Sequence, residues 1–427
     1  MTISDLIESK DFSRVGYDIF HSAEIYEQER ASIFNRTWCY LCLDVELPNS
    51  GSFLRTEVGD IQVLVNRTEK GEIVAFENRC MHRGTTLRRE LRGTDNNHTC
   101  IYHQWCYGLD GSLLGVPFAR GNRGKGGLPK DFERSSIALR RMRVQIVRGV
   151  VFGTFDHDAE PLEQYLGPTV LKELSDLFPK PIKVLGYQRQ RILGNWKLYN
   201  ENVRDTNHGG LLHMFHATFG LARNSHAGGA RMDDKHRHNI SYTVMGSDRP
   251  EDSAAGYEQT KKVFQQSFKL RDTSILAYHH ELPHKESLSI LSVFPNAVFQ
   301  QISNSLCTRQ IRLRGVDEME LYWTYYGFAD DTEEMVEHRR NQANLVGPGG
   351  LVSMEDGEAV QLVHEQTKAA LNERSRLLIG EPGPIRDQET MVTEVPVRGF
   401  WSYYYEMMKA DVPAATVAEG SDECCPK

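Results

Sequence analysis

Two short loops constrain this chain more than any other feature. The first reads Cys80-Met81-His82-Arg83 and the second Cys100-Ile101-Tyr102-His103, with seventeen residues between His82 and Cys100. Two thiols and two imidazoles in two clusters describe a metal site. A structural zinc finger usually presents a cysteine pair and then a histidine pair. Cysteine then histidine, twice, suits a two-iron, two-sulfide cluster, with both cysteines on one iron and both histidines on the other. Neutral imidazoles in place of two thiolates remove negative charge and raise the reduction potential. The competing readings are a zinc knuckle, or buried cysteines and surface histidines with no common role.

Such ligands need a rigid support, and the flanking sequence supplies one. Phe53–Thr56, Ile61–Val65 and Ile73–Phe76 are β-rich runs separated by Val-Gly-Asp and Glu-Lys-Gly-Glu turns, and the same texture returns from Val144 to Phe155. Residues 38–157 therefore read as a small all-β domain with the cluster on two loop tips. Before it, residues 22–37 have helical spacing, with Ile25, Tyr26, Ile33 and Phe34 on one face. The glycine-rich run Gly121–Gly127 lacks a Lys-Ser/Thr ending and is followed by Pro129, so it reads as a flexible surface loop rather than a phosphate cradle. No dinucleotide fingerprint appears elsewhere, which puts the source of electrons on another protein.

At 427 residues the chain is long enough for two or three domains. Beyond residue 158, helical patterns fall at 160–178, 197–216, 331–345 and 354–376. Strand-like runs fall at 183–192, 239–245, 287–294, 297–302, 307–314 and 319–327. Consecutive strands with short turns predict an antiparallel sheet with helices packed on it. The polar stretch 224–275 is expected to be mobile in part. A net charge of −8 argues against nucleic acid or an anionic membrane as partner, and no apolar run reaches the length of a membrane span. No secretory signal is visible at the start, and the eight cysteines are scattered or committed to the cluster, which fits a reducing cytoplasm.

A second concentration of chemistry lies in the stretch from Gly194 to His213. Asp205 and His208 are three apart and are expected to share a helix face, and Gly209-Gly210 are expected to supply the irregular backbone that lets His208 and His213 converge. Two histidines and a carboxylate from elsewhere would form a facial triad with open positions for oxygen on a ferrous ion. Asp356, in a helix start reading Ser353-Met354-Glu355-Asp356-Gly357-Glu358, is the expected carboxylate, with Glu355 and Glu358 as rivals. Hydrogen-bonded core histidines are the alternative.

The cluster spacing, the Asn-Trp-Lys run that leads to Asp205, His208 and His213, and the late Glu-Asp-Gly-Glu together resemble the large (α) subunit of Rieske non-haem iron ring-hydroxylating dioxygenases. One departure is Asn207, where that family more often has tyrosine. The resemblance implies an α+β chain: an N-terminal all-β Rieske [2Fe-2S] domain, then a catalytic domain whose antiparallel sheet is covered by helices. It places residues 1–37 with the catalytic domain, the Rieske domain at 38–157 and the catalytic mononuclear iron domain at 158–427. The cluster would be held by Cys80, His82, Cys100 and His103, and the mononuclear Fe(II) by His208, His213 and Asp356. It further implies an α3 ring, α3β3 with a small β subunit, in which Asp205 bridges one subunit's cluster histidine to the next subunit's iron ligand.

Within the family, Tyr40–Leu43, Asn304–Gln310 and Val397–Trp401 look closest to the aromatic-carboxylate oxygenases. A benzoate needs a cation in the pocket, for which Arg309 and Arg398 are the candidates, although both residue types also serve ordinary salt bridges. The implied activity is dihydroxylation of an ortho-substituted benzoate such as anthranilate or salicylate, using O2 and electrons from a separate NAD(P)H reductase and ferredoxin. A terephthalate-type dioxygenase or a Rieske monooxygenase of the salicylate 5-hydroxylase kind is the alternative. An electron carrier without catalysis, or a zinc protein, is a more distant one.

Overall fold

The computed structural model describes residues 2–258, 265, 267–380 and 383–409. Cys424 and Cys425 lie outside them. The β-rich runs of the N-terminal part form three antiparallel sheets. One orders Ile73–Glu77, Ile61–Arg67, Ser52–Val58 and Arg92–Thr94, and a second orders His98–Thr99, Cys106–Tyr107 and Leu113–Gly115. The third joins Cys39–Leu43, Val150–Thr154 and Arg143–Val147, so the two ends of this β region pair with each other. The glycine-rich run is an exposed turn closed by bonds between Asn122 and Lys125.

The C-terminal part is built on one seven-stranded antiparallel sheet. Its order is Ile182–Ile192, Met319–Phe328, Ser305–Leu313, Ala297–Ile302, Leu288–Val293, Asn239–Thr243 and Gly228–Met232. The chain starts this sheet at one edge, crosses to the other, and meanders back until Met319–Phe328 pairs with the starting strand. The crossing segment, residues 193–227, is the stretch that carries Asp205, His208 and His213. The topology thus lays the chemistry over one face of the sheet. Strand Gly228–Met232 and helix Pro250–Tyr257 fall within the stretch read from sequence as partly mobile, and the helix Val395–Lys409 is not among the helical patterns read there. Glycines, charges and a proline mask those segments locally, and packing decides them.

Asn195 caps the helix Trp196–Asn202, its side chain accepting from Lys197 N at 3.1 Å. The next two residues then meet a buried carboxylate: Trp196 Nε1 donates to Glu29 at 2.8 Å and Lys197 Nζ at 2.6 Å. The Tyr404 hydroxyl donates to the same Glu29 at 2.6 Å. One anion therefore ties the N-terminal helix Ala23–Glu29 to the start of the crossing segment and to the C-terminal helix. Burial pulls the Lys197 ammonium down and Glu29 opposes it. Removing Glu29 would leave a buried cation without its partner, a change that costs about 3–5 kcal/mol. The apolar core follows the same lines, with Ile3, Leu6, Phe20 and Phe34 packing in one cluster with Trp196, Phe400 and Trp401.

Candidate metal centres

The two cluster loops are near copies. Cys80 N donates to Thr85 O at 2.8 Å and Cys100 N to Trp105 O at 2.9 Å, so each cysteine opens a closed turn. In each turn the fourth residue after the cysteine, Gly84 or Gln104, has positive φ and donates its N–H back to the cysteine carbonyl. Cys80 and Cys100 are buried, while His82 is exposed and the two imidazoles lie 4.5 Å apart between centroids. Trp105 stacks flat on His82 at 4.7 Å. His103 Nδ1 is buried with no hydrogen-bond partner, a costly arrangement for a polar atom unless something is coordinated there. The Tyr107 hydroxyl accepts from Met81 N at 3.1 Å and lies 3.3 Å from Cys80 Sγ, placed to donate to a thiolate. Two buried thiols below and two imidazoles toward solvent fit a [2Fe-2S] cluster.

The second centre converges from two elements. His208 Nε2 lies 3.3 Å and His213 Nε2 3.4 Å from Asp356 Oδ1. Both tautomers are set from behind. His208 Nδ1 donates to the Asp205 carbonyl at 2.6 Å, and His213 Nδ1 donates to Glu355 Oε2 at 2.8 Å. Each Nε2 then faces a carboxylate oxygen, a pairing that calls for a proton or a metal cation between them. Burial alone would hold the His208 imidazolium down, yet Asp356 and Asp205 push it up to about 9. Burial likewise favours the neutral Asp356 carboxyl, but His213 and His208 hold it well below the usual carboxylate range. The set asks for positive charge, and two imidazoles with one carboxylate suit a non-haem ferrous ion.

Several local expectations change. Asp205 does not share a helix with His208: the helix ends at Asn202, and Asp205 Oδ1 instead accepts from Asn207 N at 2.8 Å and His208 N at 3.3 Å in a side-chain-closed turn. Gly209-Gly210 are helical, and the break that lets the rings converge is at His213 itself, φ −86° and ψ 83°. Gly210 is needed for space, since a Cβ there would meet Asn224 Oδ1 at 2.2 Å and the Tyr257 hydroxyl at 2.6 Å. The carboxylate helix starts at Leu351 after Gly350, so Ser353 is inside it rather than capping it. Glu355 is the neighbour that orients His213, and Glu358 points to solvent.

A cavity of about 660 Å³, mouth included, opens on this triad. Pockets of about 300–1,000 Å³ are the usual size for small-molecule sites. Its walls are mainly apolar, with Leu288, Ile290 and Ile302 from the sheet and Val352 from the carboxylate helix. Arg309 lines it too, 4% exposed, its Nη1 donating to the Tyr199 hydroxyl at 2.6 Å and its plane 4.7 Å from Trp323. Arg309 Nε has no hydrogen-bond partner, and no carboxylate of the described residues lies within 4.0 Å of the guanidinium. Arg398 lies elsewhere: it lines neither this cavity nor its neighbour, and its electrostatic neighbours are Asp11 and Glu394. Sequence reasoning passed over His216, which lines the cavity with both ring nitrogens buried and unpartnered. Burial, then His213, push its imidazolium down to about 3, so it is a neutral ring. The only sequence signal was its place three residues after His213.

On the other side of His208 a shallower depression is lined by Glu201, Asp205, His208, Val363 and Glu394. None of the described residues lining either cavity belongs to 38–157.

Residues 37–129 match the Rieske [2Fe-2S] domain, and residues 182–410 match the ring hydroxylating alpha subunit (catalytic domain). The chain belongs to the ring-hydroxylating oxygenase α subunits, oxidoreductases that carry a Rieske [2Fe-2S] domain and a catalytic domain for mononuclear non-haem iron. It is 42% identical over 400 residues to the anthranilate 1,2-dioxygenase large subunit of Burkholderia cepacia, covering 93% of this chain and 94% of that one. It is 38% identical to the terephthalate 1,2-dioxygenase terminal oxygenase component subunit alpha 2 of Comamonas sp, covering 94% of this chain and 97% of the relative. The salicylate 5-hydroxylase large oxygenase component of Ralstonia sp is also 38% identical, covering 93% and 94%. Among solved structures, naphthalene 1,2-dioxygenase from Rhodococcus sp. bound to indole shares the fold, with a TM-score of 0.76, 23% identity and coverage of 94% and 95%. Among the described residues no helix is long and apolar enough to cross a membrane.

Proposed function

We propose that this α subunit dihydroxylates a one-ring aromatic carboxylate carrying a polar ortho substituent, of the anthranilate or salicylate class. The observation that carries the reading is Arg309, a buried cation on the cavity wall with no carboxylate partner. A substrate carboxylate would complete that ion pair, and arginine's fork matches it. The names of the three sequence relatives above, anthranilate, terephthalate and salicylate enzymes, point the same way. Arg398 is not assigned to the substrate.

In this reading His208, His213 and Asp356 hold iron, and Cys80, His82, Cys100 and His103 hold the Rieske cluster. Bound iron supplies open positions for O2, and the cluster supplies electrons drawn from a separate reductase and ferredoxin. The protein does the positioning. Arg309 fixes the acid, His216 offers a neutral ring to the ortho group, and Leu288, Ile290 and Ile302 exclude water. Glu355 and the Asp205 carbonyl keep both ligating nitrogens free of protons.

The cluster and iron are assigned to meet across subunits. Residues 38–157 line neither cavity of their own chain, while Met81, Ile101 and Tyr102 are exposed at the cluster tip. Exposed Val363 gives the Asp205 depression an apolar rim, and Leu198, Leu212 and Val360 line it too. Asp205 then faces a neighbour's cluster histidine in an α3 ring, with or without a small β subunit, in the cytoplasm. The packing of the first helices onto residues 196–202 and 395–409 supports grouping 1–37 with the catalytic part, 38–157 as the Rieske domain and 158–427 as the catalytic domain.

The test is turnover under labelled O2 with a reductase and ferredoxin. Anthranilate, salicylate, benzoate and terephthalate would be compared with toluene and naphthalene. The expected result is preference for an ortho-substituted acid, with two labelled oxygen atoms in the product. Equal turnover of the hydrocarbons would overturn the substrate class. One labelled atom would select the monooxygenase reading, which the salicylate 5-hydroxylase similarity favours.

A further inference from the structure

A second group of two histidines and an aspartate lies outside the cavity. His21 follows the short turn Tyr17–Phe20, Asp317 lies in the loop before strand Met319–Phe328, and His364 is on the helix that carries Asp356. One donor atom from each lies within 4.8 Å of the other two. His364 Nε2 is 2.9 Å from Asp317 Oδ1, and the His21 and His364 rings are 4.5 Å apart between centroids. Both imidazoles are buried, at 7% and 6% side-chain exposure, while Asp317 opens to solvent at 55%.

The hydrogen bonds reveal what this group lacks. The Thr367 hydroxyl spends its proton on the Val363 carbonyl at 2.9 Å or the His364 carbonyl at 3.2 Å. It can therefore only accept from His21 Nε2, 3.0 Å away, which makes that nitrogen the protonated one. His21 Nδ1 is left with a bare lone pair, buried and unpartnered, facing Asp317 Oδ1 at 3.9 Å. A lone pair aimed at a carboxylate oxygen repels it unless a cation stands between them. A proton does not serve. Burial first, then His364, bring the His21 imidazolium down to about 4, so the ring is neutral at ordinary pH. Burial pulls His364 down as well.

We infer that His21, Asp317 and His364 form a second, solvent-open site for a divalent transition ion of the zinc type. Two neutral imidazoles and one carboxylate, with water in the remaining position, are a common zinc donor set. On metal entry the neutral His364 ring moves its one proton from Nε2 to Nδ1, so that the Nε2 lone pair turns to the ion while the imidazole stays neutral. Two ammonium groups oppose the ion: Lys368, 3.0 Å from Asp317 Oδ2 and 59% exposed, whose flexible stem lets it swing into water, and Lys197, which is buried and paired with Glu29. The ion would cross-link residue 21 of the N-terminal segment, the 317 loop and the helix that positions Asp356.

The experiment uses iron-loaded enzyme equilibrated with zinc and then freed of excess metal. Wild type should retain one zinc per chain beyond its iron, and so should the double variant His208→Ala, His213→Ala, whose mononuclear site is gone. His21→Gln and His364→Gln should each lose that zinc. Zinc-edge anomalous diffraction from wild-type crystals gives a reading independent of whether the variants fold, with a peak expected among His21, Asp317 and His364. A peak only at His208, His213 and Asp356, no peak at all, or equal zinc retention by folded His21→Gln would overturn the assignment.

Discussion

Replacing Arg309 by methionine tests the substrate class at its physical root. The guanidinium is 4% exposed, keeps one hydrogen bond to the Tyr199 hydroxyl and rests on Trp323, and has no carboxylate within ion-pair distance among the described residues. A substrate carboxylate would give it a counter-charge at ion-pair distance, nearer than Asp356 and desolvated on a largely apolar wall. Truncating one partner of such a pair costs roughly 2–5 kcal/mol, or about 30- to 4,000-fold in kcat/KM at tenfold per 1.4 kcal/mol. Methionine keeps the apolar stem against Trp323, so the fold should survive. The assay is kcat/KM for anthranilate, salicylate and an uncharged ring such as toluene, on wild type and variant, with the iron content and visible spectrum of both. The acids should fall by at least about 30-fold and the uncharged ring should not. Equal losses for acid and hydrocarbon with metals intact would refute the argument, because Arg309 would then act on the fold rather than on the carboxylate.

Other consequences follow from the same geometry. Glu355→Ala removes the acceptor that fixes His213 Nδ1–H, so mononuclear iron affinity should drop about 10- to 100-fold while the cluster spectrum stays unchanged, as read by metal analysis. Asp205→Asn should leave both metals bound and slow reoxidation of the reduced cluster in the presence of O2 and substrate; unchanged reoxidation rules out a bridging role. His216→Phe should leave thermal stability within about 1 kcal/mol, since neither ring nitrogen is bonded, but should erase the preference for ortho-amino or ortho-hydroxy benzoates over benzoate. Glu201 is buried, and burial together with Asp205 pushes its carboxyl up to about 7 against the Trp401 hydrogen bond. Its folded value lies above its unfolded one, so its stabilising contribution is complete below about pH 4.5 and is lost as pH rises to about 7. Glu201→Gln should therefore gain on the order of 2–3 kcal/mol over wild type at pH 8 and nothing at pH 4, measured by denaturant unfolding.

Much of this protein was legible as sequence because its chemistry is packed into local runs. The cluster loops declare themselves by residue type and spacing, since each is a turn of about six residues that needs nothing distant to form. The strands from 287 to 327 were equally plain, because period-2 patterns joined by short turns dictate a meander without further information. His208 and His213 were visible for the same reason. The backbone that joins them was not: an Asp205 turn and a break at His213 depend on hydrogen bonds to the carboxylate helix and to the C-terminal segment.

What remained was settled by distance in three dimensions rather than along the chain. Glu355 and Asp356 are adjacent on one helix, about 100° apart around its axis, so only the packed rotation of that helix separates a ligand from the residue that orients one. Arg309 and Arg398 look alike as letters, but one points from a strand into the cavity and the other sits near Asp11 at the far end of the chain. His216 gains meaning only once burial strips it of water and partners. His21 lies hundreds of residues from Asp317 and His364, which are themselves 47 apart, and no spacing rule can join the three. Sequence determined which donor atoms this protein carries and the local turns that present them; tertiary packing decided which donors meet, because ligand geometry depends on through-space distance and on which lone pairs burial leaves unpaired.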